Sequence, residues 1–114
     1  MKFEIIDKTL VIRMNWLPRG IKFINLCGVL LCRYTTQINS LDWQHEAIHS
    51  QQWYETLIIG MLLWYPIEFF IRLFKYGNWD DAYKNVSFES EAYGNEFVHG
   101  YIQDRKHFAW LDYL

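Results

Sequence analysis

The sequence has 114 residues, which is enough for one domain and too few for two. Its 11 Lys and Arg residues against 13 Asp and Glu residues give a net charge of −2, which excludes the basic field typical of nucleic-acid binding. We therefore expect a single domain over residues 1–114 that has no nucleic-acid partner.

The first third of the chain predicts a small antiparallel β-sheet. Two short β-branched runs in FEIIDKTLVIRM, residues 3–14, indicate a hairpin. NWLPRG, residues 15–20, is typical of a loop because it contains both a proline and a glycine. IKFINLCGVLLCRYT, residues 21–35, is interpreted as strand, with Gly28 as a bulge or turn.

The cysteines and the first residues of the chain help to predict the cellular compartment of the protein. In a continuous strand Cys27 and Cys32 point to opposite faces, so we expect neither a disulfide nor a shared metal. Glu4 and Asp7 interrupt the run that a secretory signal would need. The sequence therefore predicts a cytoplasmic location, with peripheral membrane contact as an extension.

After QINS the spacing of apolar residues becomes helical. Ser40 or Asp42 is expected to cap a helix that runs to about residue 56. A second, hydrophobic helix is predicted over about residues 57–76, with Gly60 and Pro66 as kinks.

The last third is also predicted to be helical. YGNWDD, residues 76–81, indicates a loop before a short helix near Ala82. Ser87 is expected to cap a final long helix that continues through about Lys106.

The run His45-Glu46-Ala47-Ile48-His49 has the H-E-x-x-H pattern of zinc peptidases. On a helix the two histidines are one turn apart, with Cβ atoms about 5–6 Å apart, so both imidazoles can bind one ion. Glu46 lies about 100° round the helix from His45, where it can take a proton from a water. Gln52 falls on the histidine face and could hold a substrate or a ligand.

A third ligand must come from the later helix or the residues after it. The candidates are Glu89, Glu91, Glu96, His99 and His107. Glu91 lies on the more apolar side of the predicted helix, where a carboxylate is costly without a metal or a donor, so it is either an alternative ligand or a support behind the ligands. His99 is expected on the side of Glu96, where it could reach the cleft. Both His99 and His107 are more simply interpreted as ordinary packed or solvated side chains.

Glu89 opens an E-x-x-A sequence that resembles the glutamate helix of the gluzincin metallopeptidases. Tyr93 stands where that family has an acidic residue or Asn after the alanine. The order of elements over about residues 21–103 also resembles a group of short, uncharacterised bacterial proteins regarded as zinc peptidases, and the smallest gluzincins.

The resemblance implies a zinc site with His45, His49 and Glu89 as ligands and Glu46 as general base. The fold it implies is α+β and zincin-like, with a small antiparallel sheet followed by an active-site helix, a hydrophobic helix and a glutamate helix. The resemblance supplies no substrate, but together with the motif it predicts a zinc-dependent metallopeptidase or metal-dependent hydrolase that cleaves an amide, and we expect a peptide or protein as the substrate. The alternative is a non-enzymatic module that binds a partner or a membrane and uses zinc only as a structural staple.

Residues 57–79 raise the question of membrane contact. The uncharged run LIIGMLLWYPI, residues 57–67, is shorter than the roughly 20 residues that a span needs. The following EFFIRLFKYGNW mixes aromatic residues with Arg72 and Lys75, as interfacial segments do. The segment is therefore either a core helix that covers the sheet or a site of contact with a membrane interface or a partner.

The last segment, DRKHFAWLDYL, residues 104–114, is rich in large apolar side chains. We expect it to pack on the domain and to cover the cleft, which would keep the enzyme latent.

Overall fold

A computed structural model describes all 114 residues and has a mixed α+β fold, which confirms the predicted class. The strands are β1 (Lys2–Ile6), β2 (Thr9–Arg13), β3 (Ile24–Leu26) and β4 (Val29–Cys32). The helices are α1 (Ser40–Glu55), α2 (Ile59–Tyr76), α3 (Trp79–Lys84), α4 (Ser87–Asn95) and α5 (Tyr101–Asp104), and a 3₁₀ helix (Ala109–Tyr113) ends the chain.

The four strands form one mixed sheet in the order β1-β2-β4-β3. The first hairpin turns at Asp7 and Lys8, as predicted, and both residues have positive φ. β2 and β4 pair in parallel, with Val11 opposite Leu30, so the prediction of a wholly antiparallel sheet was wrong. The reason is the connection between the hairpins, which carries β3 to the outer edge and leaves β4 beside β2.

Residues 24–32 are a second hairpin instead of one continuous strand. Cys27 lies in its turn with φ 57°, whereas Cys32 is buried in β4, and both thiols are free. Gly28 has φ 88°, and a Cβ there would lie 2.7 Å from the Tyr54 hydroxyl oxygen. The turn therefore depends on glycine both for its backbone and for its close approach to α1.

The helix α1 begins at Ser40, slightly before the predicted start, because its cap is Asn39 and not Ser40 or Asp42. The Asn39 side chain accepts a hydrogen bond from the Asp42 backbone N–H, and the Asp42 carboxylate accepts one from the Asn39 N–H. This reciprocal pair is a capping box, in which Asp42 is the third helical residue.

A tight reversal separates α1 from α2. Leu57 and Ile58 both have positive φ, so α2 begins at Ile59, two residues later than predicted. Pro66 lies inside α2, which is a continuous helix over its 18 residues. The two helices are bent by 113° at this junction.

The predicted final long helix was wrong, because α4 ends at Asn95. The chain turns through Gly100, which has φ 76°, and then runs back over the domain. Trp110 joins the main core cluster with Trp53 and Phe88, and its ring centroid lies 4.6 Å from that of Phe88. The last segment is therefore part of the core, and no residue beyond Glu96 lines the cleft that it was expected to cover.

By length and apolar content no single helix qualifies as a membrane span. The bent pair of α1 and α2 passes the same test only when the two helices are taken together.

Candidate metal centre

Three of the predicted ligands converge at one point between α1 and α4. His45 Nε2 and His49 Nε2 lie 3.1 Å apart, and Glu89 Oε1 lies 3.1 Å from His49 Nε2 and 3.5 Å from His45 Nε2. All three residues are buried. Tetrahedral zinc with bonds of about 2.0–2.1 Å places its ligand atoms about 3.3–3.4 Å apart. The triangle therefore has the size that one metal ion requires, and the cluster could hold such an ion.

The outer nitrogen of His49 is held by a buried amide. His49 Nδ1 lies 2.8 Å from the side-chain oxygen of Gln52. The Gln52 NH₂ group donates to the Phe88 carbonyl and to Glu91 Oε1, so its oxygen faces His49 as an acceptor. His49 Nδ1 therefore donates its hydrogen to Gln52, and Nε2 keeps a lone pair for the cluster.

The outer nitrogen of His45 is held by a carboxylate. His45 Nδ1 lies 2.7 Å from Glu96 Oε2, which makes Nδ1 the donor and leaves the Nε2 lone pair free. Because His49 has the same tautomer, the lone pairs of both Nε2 atoms and the Glu89 carboxylate oxygen face one another with no hydrogen between them. Acceptors this close need a cation or a proton among them, so the donor set fits a metal ion.

The pKa values show how strongly the cluster attracts positive charge. Burial disfavours the charged form of His49, but the charge and hydrogen bond of Glu89 outweigh burial and raise the pKa of His49 to about 9. Burial likewise opposes ionisation of Glu89, yet the two histidines hold the pKa of its carboxyl well below the usual range. A proton therefore binds this site in the absence of metal.

Glu46 lies beside the ligands in the wall of the same cleft. Burial raises the pKa of its carboxyl, and the neighbouring His49 and His45 oppose that rise. Its Oε1 atom is buried and has no hydrogen-bond partner. A buried carboxylate oxygen without a partner is costly, and a water or a substrate N–H in the cleft would supply the missing donor.

Glu89 receives further support from α2, which the sequence reasoning missed. The Tyr65 hydroxyl donates to Glu89 Oε2 at 2.9 Å, so one carboxylate oxygen is held while the other faces the histidines. The sequence gives no specific signal for this contact, because Tyr65 stands within an apolar run and its side of α2 also carries Met61, Glu68 and Phe69.

The start of α4, which places Glu89, is fixed by a second residue of α2. The Glu68 carboxylate accepts hydrogen bonds from the Ser87 N–H at 2.8 Å and from the Ser87 hydroxyl at 2.6 Å. Ser87 is thus the first residue of the helix and not its cap, and Val86 occupies the cap position without a side-chain bond. Glu68 supplies the negative charge that a helix amino terminus favours.

Glu91 lies outside the metal cluster, in a buried network on the other side of α4. Its carboxylate accepts hydrogen bonds from Gln52, Tyr101 and Arg105, and Arg105 also binds Glu55 at 2.6 Å. The side chains of Glu91 and Arg105 are completely buried. Glu91 therefore supports His49 indirectly, through the orientation of Gln52.

The other residues named from the sequence do not belong to the cluster of three ligand atoms. Tyr93 packs edge-on against the His45 ring, with centroids 4.6 Å apart, while Glu96 occupies the position behind His45. His99 is exposed in the turn after α4, not on a helix, and does not line the cleft. His107 is exposed as expected, with Nδ1 3.8 Å from Glu55.

The cluster opens into a cleft of about 920 Å³. Its walls come from α1 and α4, which carry the candidate ligands, from the edge strand β3 and from the inner face of α2. On α2, Met61 and Phe69 provide apolar surface. A cavity of this volume is large enough for a ligand of several residues.

Comparison with known proteins adds no relative: no family model matches this sequence, and neither a curated protein nor a solved structure matches it significantly.

Proposed function

We propose that this protein is a zinc-dependent metallopeptidase with a site of gluzincin type. The observation that carries the proposal is the meeting of His45 Nε2, His49 Nε2 and Glu89 Oε1 within 3.5 Å of one another at the base of a large cleft. The tautomers that Gln52 and Glu96 impose on the histidines favour a metal over an ordinary polar cluster.

The donor set favours zinc in a catalytic role. Two imidazoles and one carboxylate are three protein ligands, which leaves a fourth tetrahedral position for water or substrate. Structural zinc sites are usually closed and rich in thiolate, whereas Cys27 and Cys32 lie outside this cluster. The three ligand residues also line the cleft, so a substrate in the cleft could reach an ion held by them.

A bound zinc ion would supply Lewis acidity toward a water molecule and toward the scissile carbonyl. Glu46 then accepts a proton from the attacking water and passes it to the leaving amine, a role that suits a carboxyl whose pKa burial raises. Tyr83 and Tyr93 line the same cleft, and burial raises the pKa of both, so they remain protonated donors for the developing oxyanion.

The test combines metal content with hydrolysis of a mixed peptide library. Wild-type protein should bind one zinc per chain and cleave peptides, and Glu46→Gln should keep the zinc while losing about 10²-fold or more in rate. His99→Ala is the matched control, because this exposed histidine contacts neither the cluster nor the cleft.

Two results would contradict the proposal. Zinc bound stoichiometrically without any cleavage would favour the non-enzymatic module with a structural zinc. Undiminished zinc binding in the double variant His45→Ala, His49→Ala would show that the metal lies elsewhere.

A further inference from the structure

A helix that covers a protein core buries its apolar side and exposes its charged side, whereas α2 does the reverse. Every exposed residue between positions 59 and 74 is apolar, whereas its charged Glu68 and Arg72 face the protein and pair at 3.2 Å. The apolar outer face, as we call it, consists of Ile59, Leu62, Leu63, Trp64, Pro66, Ile67, Phe70, Ile71 and Phe74. Phe74 is 94% exposed and Ile59 is 67% exposed.

This face is both wide and long. With 3.6 residues per turn its side chains cover about 200° of the helix, over about 24 Å of length. Nine side chains of this size present on the order of 1,000 Å² of apolar surface, well above the roughly 300–600 Å² of the largest patch on a typical monomer. Leu57 in the preceding turn extends it and is 81% exposed.

The width of the face decides between two kinds of partner. A second copy that packs helix against helix covers a stripe of about 100°, which would leave half of this face in water. Protein interfaces also carry a polar rim with hydrogen bonds, and the exposed residues of this stretch offer no side-chain charge or amide for one. A lipid surface demands neither a narrow stripe nor hydrogen bonds.

The carboxyl end of α2 has the residues that favour the boundary between lipid and water. Lys75 lies 5.3 Å from the ring centroid of Tyr76, and Trp79 follows with 67% exposure. Tyrosine and tryptophan prefer the level of the lipid headgroups, and a lysine there meets phosphate oxygens.

We propose that the apolar outer face of α2 docks into the surface of a lipid bilayer. The helix lies in the plane of the interface, as amphipathic membrane helices do, with its apolar side in the acyl region and the rest of the domain above it. The adjoining side of α2, with Met61, Tyr65 and Phe69, lines the cleft, and Leu62 and Pro66 lie at the edge that the cleft shares with the apolar outer face. Docking therefore brings the cleft to the membrane surface.

A consequence for substrate choice rests on the proposed peptidase function. When α2 is docked on a membrane, the cleft lies close to the bilayer. Polypeptide segments at the bilayer surface then have a higher effective concentration at the cleft than peptides in solution. The substrate class is then the juxtamembrane or interfacial segment of a protein.

The docking test is vesicle flotation at two salt concentrations, with phosphatidylcholine vesicles and with vesicles that contain phosphatidylglycerol. Wild-type protein should float with both. The variant Leu63→Gln, Phe70→Gln, Phe74→Gln should lose about tenfold or more in partition coefficient, because it removes three large apolar groups from the centre of the face. The matched control is Phe3→Thr, Ile5→Thr, Trp16→Gln, which alters three exposed apolar residues on the sheet side.

Each other outcome would overturn the docking proposal. Flotation that the face variant and the control reduce equally would mean nonspecific adhesion. Flotation only with anionic vesicles at low salt would mean that charge carries the binding. A wild-type dimer that does not float and that the face variant converts to monomer would make the face a contact between copies.

Docking and catalysis can fail separately in this design. Flotation is repeated with His45→Ala, His49→Ala, which should float like wild type because no ligand residue belongs to the outer face. Peptide cleavage in solution should be the same for wild type and the face variant, whereas a lipid-anchored peptide in vesicles should be cleaved about tenfold faster by wild type. Equal rates on the anchored peptide would refute the substrate class and leave the docking result intact.

Discussion

Removal of the carboxylate behind His45 is the most informative test of how the metal centre is built. In the structure Glu96 Oε2 accepts a hydrogen bond from His45 Nδ1 at 2.7 Å, and the Glu96 side chain is 19% exposed. Replacement by alanine frees the ring to rotate and removes the negative charge that makes Nε2 a better donor to the metal. The backbone of α4 ends before Glu96, so the change should not disturb the helix.

The size of the effect follows from that one contact. A hydrogen bond to a charged group contributes about 1.5–3 kcal/mol, and outer partners of metal-bound histidines change metal affinity by about 10–100-fold, which is the same range. We expect Glu96→Ala to weaken zinc binding by that factor. Glu96→Gln should have a smaller effect, because its amide oxygen can still accept the bond without the charge.

The assay is competition with a zinc chelator of known affinity at pH 7.5, with thermal unfolding of the metal-free protein as a measure of the fold. Asp112→Asn serves as the control, since its carboxylate is 57% exposed and pairs only with Lys106. If Glu96→Ala binds zinc within twofold of wild type, then Glu96 does not orient His45 and the tautomer argument fails.

Three further predictions follow from the same geometry. Zinc affinity should rise about tenfold or more per pH unit between pH 6 and 8, because the proton on His49, whose pKa is about 9, must leave before the metal binds; a flat profile in competition assays would contradict this. Glu89→Ala should abolish stoichiometric zinc with little loss of fold, whereas Glu91→Ala should cost about 3–5 kcal/mol in urea unfolding, because it removes one of the two carboxylates that pair with the buried Arg105 and leaves the buried Gln52 amide without that acceptor. Trp110→Ala should also destabilise the domain, by about 3–5 kcal/mol, and should not raise activity; an active, fully stable variant would mean that the tail covers the cleft after all.

The two candidate histidine ligands could be found from the sequence because their arrangement on α1 is local. Residues four apart on a helix share a face whatever the rest of the chain does, so the spacing of His45 and His49 placed both imidazoles together. The turn at Asp7 and Lys8 was equally local, since the apolar runs on each side set its position. Glu89 required the resemblance of its E-x-x-A sequence to a family motif, because no local rule brings α4 against α1.

The hydrogen bonds that hold the candidate ligands and the start of α4 in place depend on tertiary structure. Glu96 bonds Nδ1 of His45 while Tyr93 packs edge-on against the same ring, and both contacts depend on how α4 lies against α1. Tyr65 and Glu68 act on α4 from a helix that the sequence presents as an apolar segment. Such pairings depend on which helix faces meet, and helical periodicity within one segment does not specify its partner.

The course of the chain after α4 and the strand order have the same explanation. Residues 96–106 have a pattern that an isolated helix would accept, but a buried Arg105 can bind Glu55 and Glu91 together only if the chain turns back over the domain. Likewise, the local sequence indicated the first hairpin, while the second hairpin was interpreted as one strand and the parallel pairing of β2 with β4 depends on the path of the loop between the hairpins. Local spacing thus determined which side chains share a face, and the burial of distant charges and apolar faces against each other determined where the chain runs.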